Sequence, residues 1–388
     1  MSNGSKNKIK VAFLFQASEN WLGGLNYYKN LFFAISRIKK PIIEPYILKP
    51  KSDNAKILLD IDNVKILKKN LKYRFLKIFS KIFKNKFNPL IIANQIDIIS
   101  HVYSKDCNVP TISWIPDFQH LHLPEMFTEN ETKERDNEYL EIAQNSKLVI
   151  LSSNDALNDF KNFAPEYADK GRVLHFVAIP DADAYKNIGN IEEQIKSKFN
   201  LPEKYFYVPN QFWKHKNHIT VLKAVSMLKK QNLNINVVFT GNTKDYRNPD
   251  FFNKEILSFI KEEKLEENIK ILGIVELDEV YYLMRNCISI INPSLFEGWS
   301  STVEEAKSIG KNIILSNLNV HIEQNPPCAK YFNPLDYKEL ANILKEKWLN
   351  ENTEIDYKLE QDAQNNLFDR IENFGKQYQK IVEEALNL

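Results

Sequence analysis

Short apolar runs rich in Ile, Val and Phe recur along the chain, separated by stretches whose apolar positions repeat near every 3.6 residues. Ile9–Phe15, Ile42–Leu48, Asp97–Tyr103, Thr111–Ile115, Leu148–Ser152 and Val173–Val177 predict one series of strands. Phe206–Pro209, Asn236–Thr240, Ile269–Leu272, Ile288–Asn292, Asn312–Ser316 and Lys330–Phe332 predict a second. Helical spacing marks Leu25–Ile38, Ile219–Lys229, Phe252–Lys264, Leu335–Leu349 and, at the end, Phe374–Leu386. Strand alternating with helix predicts parallel sheets covered on both faces, and two series predict two doubly wound α/β domains. The turn-like Pro180-Asp181-Ala182-Asp183, a polar stretch and Leu201-Pro202 put the join near 180–204, with domains at 1–190 and 191–373. Such domains bind ligands at the carboxyl ends of their strands, and two of them form a cleft.

Composition narrows the class. With 388 residues, 43% apolar and 26% charged, the chain reads as globular, with two domains or three. Lys and Arg total 52 against 50 Asp and Glu, so no global field favours nucleic acid as a partner. Cys107, Cys287 and Cys328 form no C-x-x-C pair, which excludes a disulfide framework and a Cys-rich zinc site. No stretch approaches the ~18–20 apolar residues of a membrane span. The polar, basic start is followed only by Val11–Phe15, too short for a signal-peptide core. The expectation is a cytoplasmic protein, or one peripheral to the inner face of the cytoplasmic membrane.

The most informative stretch follows Ile288–Asn292: Pro293-Ser294-Leu295-Phe296-Glu297-Gly298-Trp299-Ser300-Ser301-Thr302-Val303-Glu304-Glu305-Ala306. Ser301-x-x-Glu304 has capping-box form, so a helix starts at Ser301 with Glu304 serving its end. Glu305 is then free on the next face and Glu297 sits on the loop. Free amides at a helix start, with a glycine permitting close approach, suit an anion. Carboxylates on either side suit hydroxyls, and a sugar nucleotide supplies a diphosphate between two polyols. The plainer alternative is a solvated helix start whose acids are favoured by the helix dipole.

Other loops carry candidate chemistry. Gln211, Lys214, His215 and Lys216 follow a strand and precede a helix, where a fixed cation could stabilise a departing diphosphate, or where ordinary surface cations could lie. Gly23 and Gly24 at the first strand-to-helix turn permit close backbone approach, but the G-x-G-x-x-G nicotinamide fingerprint is missing. Asp117, His120 and His122 cluster after a strand; a metal there would need a third ligand such as His101, and none is expected. Asp60-Ile61-Asp62 and Asp181-Ala182-Asp183 read as solvated acids. Lys68–Lys86 contains eight cations and no acid, with Leu71, Phe75, Ile78, Phe79, Ile82 and Phe83 on one helical face. That face either lies on an anionic membrane surface or packs on its own domain.

The stretch around Glu297 resembles the E-x7-E motif of the retaining GT-B glycosyltransferases of family 4, the glycosyl transferases group 1 family. Glu297 and Glu305 have its spacing. Gly310–Ser316, His321-Ile322-Glu323-Gln324, Tyr331-Phe332-Asn333-Pro334 and Leu340-Ala341 look like the segments that follow in that family. The resemblance covers roughly residues 205–345 well and the amino-terminal half more weakly. It implies a GT-B architecture: two Rossmann-like doubly wound domains facing a central cleft, acceptor on the first and nucleotide sugar on the second. Helix 374–388 would pack back on the first domain. The implied activity is retaining transfer to a glycan or lipid-linked glycan, as in surface polysaccharide biosynthesis of the O-antigen or capsule type, with no metal or cofactor. A sugar-nucleotide epimerase or phosphorylase on the same fold, or a non-catalytic partner subunit, are the alternatives.

By the resemblance Glu297 binds hydroxyls of the transferred sugar and Glu305 those of the ribose. The amides of Gly298, Trp299, Ser300, Ser301 and Thr302 meet sugar and diphosphate, although this loop departs from the family's F-G-L-P. Lys216 matches the diphosphate-binding Lys. Gln211 stands where the family has Arg, so that Lys214 compensates or the clamp is weaker. Gly23 and Gly24 match a glycine loop facing the diphosphate and acceptor. Asp117 matches the Asp of an H-D pair whose His is Pro116 here, leaving His120 to supply an imidazole to the acceptor. The implied catalytic set is Lys216, Glu297 and Asp117. An Asp-x-Asp metal site would belong to the other large glycosyltransferase fold, GT-A.

Overall fold

The computed structural model describes residues 8–15, 22–50, 54–83, 88–104, 109–181, 185 and 189–387. Trp21, Cys107, Asp183, Lys84 and Lys86 lie outside them. The first run of strands comprises β1 (Ile9–Phe13), β2 (Ile43–Ile47), β3 (Lys65–Ile66), β4 (Ile98–His101), β5 (Thr111–Ile115), β6 (Leu148–Leu151) and β7 (Gly171–Val173). They form a seven-stranded sheet in the order β3-β2-β1-β4-β5-β6-β7. The second run comprises β8 (Phe206–Val208), β9 (Val237–Phe239), β10 (Ile269–Ile271), β11 (Ile290–Asn292), β12 (Ile313–Ser316) and β13 (Lys330–Phe332). Its six-stranded order is β10-β9-β8-β11-β12-β13. All the pairings are parallel. Both are Rossmann-like sheets.

One local expectation is corrected and another refined. The strand expected at Val173–Val177 is Gly171–Val173. It starts early because Gly171 lets the chain run against α6 (Asn154–Phe163): a Cβ there would lie 2.4 Å from Leu157. The helix expected over Phe252–Lys264 is present, opening as a π-helical segment, Phe252–Leu257, and continuing as an α-helix, Ser258–Glu262. The edge strand β3 has only two residues and leaves no alternation to detect.

Residues Met1–Pro124, Thr128–Ala178 and Phe368–Leu388 form one compact unit, and Glu125–Phe127 with Ile179–Leu367 form the other. Besides α6, unit 1 carries α1 (Leu22–Arg37), α2 (Leu71–Phe83), α3 (Pro89–Asn94), α4 (Gln119–His122) and α5 (Glu129–Asn145). Unit 2 carries α7 (Gly189–Phe199), α8 (His218–Lys230), α9 (Ser258–Glu262), α10 (Leu277–Arg285), α11 (Ser301–Ile309), α12 (Asn319–Gln324) and α13 (Tyr337–Asn350). The last helix, α14, runs Tyr357–Asn387 and so starts well before Phe374. Its Phe374 and Tyr378 are buried in unit 1 among Phe13, Tyr27 and His101.

In unit 2 the strands bury both faces, which is why their sequences read as unbroken apolar runs. Phe206, Val208, Val237, Phe239 and Ile291 join Val221, Leu222 and Val225 of α8 and Leu340 and Leu344 of α13 on one face. Tyr207, Val238, Ile290, Ile313 and Leu315 join Leu283 and Met284 of α10 and Val303 and Ala306 of α11 on the other. The strand order reverses between β8 and β11. Ligands of doubly wound sheets bind at that reversal, beyond the strands' carboxyl ends.

Candidate active site

The loops leaving β8 and β11 meet at this reversal. Leu295 N–H donates to His215 O at 2.8 Å. Asn217, in the left-handed conformation at φ 56°, donates from Nδ2 to Pro293 O (3.0 Å) and Pro334 O (2.9 Å). That side chain ties the basic loop to the loops after β11 and β13 just before α8 starts. His218 stacks on Phe212 with ring centroids 4.2 Å apart. Burial pushes the His218 and His215 rings down to about 3, so both are neutral spacers at pH 7. Gly241, at φ +133°, lies so close beneath the loop that a Cβ would sit 2.5 Å from Asn210 O.

These ties bring Lys216 and Glu297 together: Lys216 Nζ donates to Glu297 Oε1 at 2.7 Å, across 81 residues of sequence. Ser294 Oγ lies 2.7 Å from Glu297 Oε1 and 2.7 Å from Asn292 Oδ1, so its one proton serves the two. Asn210 Nδ2 donates to Asn292 Oδ1, and Thr302 Oγ1 to Asn210 Oδ1. Burial alone would raise the Glu297 carboxyl. The Lys216 ammonium, helped by the Ser294 hydroxyl, instead holds it down at about 2. Glu297 is therefore a permanent, half-dry carboxylate with a cation fixed against it.

Lys214 stands apart from this pair: its side chain is exposed and lies 3.7 Å from Glu255. Gln211 is half-buried, and its carbonyl accepts from Trp213 N–H at 2.8 Å. A second cation, Arg247, is near enough for its field to depress the His215 ring.

Helix α11 starts where expected, but its cap differs. Ser300 is the N-cap, with Oγ accepting from Val303 N–H at 3.4 Å, and α11 begins at Ser301. Glu304 is thus one position too late for a capping box and is buried instead. It accepts from Gln324 Nε2 (3.1 Å) and Lys307 Nζ (3.2 Å). Gln324 grips Ser300 on both sides, accepting from its N–H at 3.2 Å and donating to its C=O at 3.0 Å. The Ser300 amide is consequently committed to Gln324. The amides of Gly298, Ser301 and Thr302 have no acceptor among the described residues. Trp299 is buried beside them. Sequence reasoning missed Gln324, since an amide on α12 gives no sign of holding a loop more than twenty residues earlier.

Glu305 is half-buried, and its carboxyl makes no hydrogen bond or ion pair among the described residues. Burial, with no cation beside it, pushes its carboxyl up to about 7. Its charge reaches the buried Tyr207 and Tyr281 phenols. A desolvated carboxyl lacking donors is chemically ready for a pair of hydroxyls.

Unit 1 treats its candidates differently. Gly23 and Gly24 lie inside the first turn of α1, which starts at Leu22, and not in a loop before it; Gly23 is exposed with nothing near its Cα hydrogens. Asp117 accepts from Gln119 N–H at 3.0 Å at the start of α4 and lies 3.7 Å from Arg135. His120 is buried against Phe118 and Tyr139, with Nε2 3.1 Å from Asp136 Oδ1. Its ring is thus packed into unit 1 and does not line an open surface as an acceptor-binding imidazole would. His101, at φ 68°, contacts Tyr27 OH at 2.7 Å and Ser100 Oγ at 2.8 Å inside an aromatic cluster. Among the described residues no three His, Cys, Asp or Glu side chains gather as metal ligands. Asp60, Asp62 and Asp181 are exposed.

The fold matches that of GT-B glycosyltransferase structures, and residues 190–364 match the family model described as glycosyl transferases group 1. The matched segment is nearly all of unit 2, including both carboxylates and Lys216. Among solved structures, the Anabaena Alr3699/HepE complex with UDP and glucose aligns with TM-score 0.67 at 16% identity, over 97% of this chain and 99% of that one. A glycosyltransferase from Rickettsia africae aligns at 0.64 and 17%, over 97% of each. WaaG, a glycosyltransferase involved in lipopolysaccharide biosynthesis, aligns at 0.57 and 12%, over 97% of this chain and 98% of that one. No curated protein matches the chain by sequence.

Proposed function

We propose that this chain is a retaining, family 4 type glycosyltransferase that moves a sugar from a nucleotide sugar to a glycan or lipid-linked glycan, in surface polysaccharide assembly. The observation that carries the reading is the pairing of Lys216 with Glu297 at the switch point, with Glu305 uncommitted eight positions on. The UDP and glucose in the HepE complex, and the lipopolysaccharide role of WaaG, support a nucleotide sugar and a surface glycan as the two substrates.

Glu305 accepts the ribose hydroxyls and Glu297 those of the transferred sugar. The diphosphate lies between them, over the amides of Gly298, Ser301 and Thr302. As the bond from the anomeric carbon to the diphosphate oxygen breaks, its electron pair moves onto that oxygen. Lys216, already held by Glu297, faces the growing charge without reorganising. The sugar acquires oxocarbenium character. The acceptor hydroxyl bonds to the anomeric carbon from the face the diphosphate leaves, and its proton passes to a diphosphate oxygen. Lys216 and the amides carry the charge, so activity should survive EDTA.

A thermal-shift panel of UDP, GDP, CDP and TDP with their sugars tests the donor, because ligand binding raises apparent stability by mass action. One nucleotide should stand out, and sugar release in its presence should require a glycan acceptor. No shift with any of them would remove the reading. Conversion of the donor without acceptor would favour an epimerase.

A further inference from the structure

Helix α2 turns its apolar stripe outward. Leu71 is 81% exposed, Phe75 68%, Ile78 61% and Phe79 36%, whereas Tyr73 and Leu76 on the opposite face are half-buried. The four exposed positions follow an i, i+4, i+7, i+8 pattern and so share one side of the helix. At about 100° per residue, Lys72 falls on one flank of the stripe and Arg74 on the other. Both are exposed and neither makes an ion pair among the described residues. Lys77 lies further round, over the Tyr73 ring at 5.9 Å. Lys68 and Lys69 add charge at the helix start. No Asp or Glu occurs between Asp62 and Asp97.

The helix is nevertheless fixed to its unit. Asn94 of α3 accepts from Lys68 N–H at 2.9 Å and donates to Lys68 O at 3.1 Å, and Asn70 Oδ1 accepts from Tyr73 N–H at 2.9 Å. An anchored helix presenting large apolar side chains between Lys72 on one flank and Arg74 on the other has the amphipathicity of an interfacial helix.

We infer that α2 is a membrane-docking element that lies in the plane of an anionic lipid surface. Leu71, Phe75, Ile78 and Phe79 enter the headgroup–acyl boundary while Lys72 and Arg74 meet lipid phosphates. Charge decides the occupant. A second copy would set two acid-free cationic stripes against each other, and nucleic acid, whose bases could stack on Phe75 and Phe79, would leave the aliphatic Leu71 and Ile78 in water. This inference stands on exposure and charge, independently of the donor reading.

The test is co-sedimentation of the full chain with vesicles of phosphatidylcholine alone or mixed with phosphatidylglycerol. The chain should sediment with the anionic vesicles only, and less at 1 M than at 0.1 M salt, where the Debye length falls from about 10 Å to about 3 Å. Each neutralised flanking cation should lower the partition about fivefold, so Lys72→Gln with Arg74→Gln should lower it roughly twenty-five-fold. Phe75→Ser with Ile78→Ser should lower it more than about tenfold. Phe75→Trp should shift its fluorescence to the blue on adding anionic vesicles. Melting temperatures should match the parent chain, since the substituted side chains face solvent. No sedimentation with either vesicle overturns the assignment and leaves an acidic protein as the occupant. So does equal sedimentation with both, an unchanged partition in the variants, or a fall in melting temperature that returns the stripe to the core.

Discussion

Glu297 and Glu305 are the same residue type eight positions apart, yet their surroundings push them in opposite directions. Glu297 keeps its charge down to about pH 2 because Lys216 touches it, while Glu305, without a cation, titrates near 7. If Glu305 binds ribose hydroxyls, binding selects its ionised form. Nucleotide affinity should then fall up to tenfold per pH unit below 7, with proton release measurable by calorimetry in buffers of different ionisation enthalpy. Glu305→Gln should flatten this dependence, and Glu305→Ala should cost about 1.5–3 kcal/mol, roughly ten- to a hundredfold in affinity. The signs for stability are opposed. Glu297, with a depressed value, contributes stability above the ordinary 4.5 that is lost as pH falls toward 2. Glu305, with a raised value, contributes stability below 4.5 that is lost as pH rises through 7. Lys216→Ala should lower turnover by about a hundred- to a thousandfold, the effect of removing one preorganised donor, with a smaller change in donor affinity. Single-turnover kinetics would separate the two, and unchanged turnover would take Lys216 out of the site.

At the scale of elements, the loop before α11 is held by α12. Gln324 spans the Ser300 amide and carbonyl, and Glu304 and Lys307 hold Gln324 from α11 itself. Gln324→Ala should leave buried polar groups unpaired at a cost of about 1–3 kcal/mol. Amides of residues 298–303 should exchange faster in that variant, and donor affinity should weaken although Gln324 need not touch the donor. Unaltered exchange there would mean that the loop is held by its own capping. Glu304→Ala should act through the same network, lowering stability more than nucleotide binding, because Glu304 is buried behind the helix start.

At the scale of the molecule, α14 begins in unit 2 and ends in unit 1. In unit 2 its Glu360 forms a buried ion pair with Arg285 of α10, at 3.0 Å. In unit 1 Gly375 lies so close to α1 that a Cβ would sit 2.5 Å from Ala34 O. Glu360→Ala would remove the carboxylate that pairs with Arg285, and breaking such a pair costs about 3–5 kcal/mol. Scanning calorimetry should show the loss in the transition of unit 2; a melting curve like the parent's would mean that Arg285 finds another partner.

Local chemistry in the sequence was enough to indicate both sheets, because strands buried on two faces must be apolar throughout, as Phe206–Val208 and Ile290–Asn292 are. The spacing of Glu297 and Glu305, and a cation after the strand at Phe206, were equally visible. Tertiary structure alone decided which side chains meet. The Lys216–Glu297 pair and the Gln324–Ser300 clasp join distant segments, and no local pattern encodes a contact made by chain crossing. The same holds for the burial of His120 and the pairing of Lys214 with Glu255. It also decided the facing of α2, because an apolar stripe has the same period whether it turns toward a core or toward solvent. Only the exposure of Leu71, Phe75 and Ile78 makes it a surface.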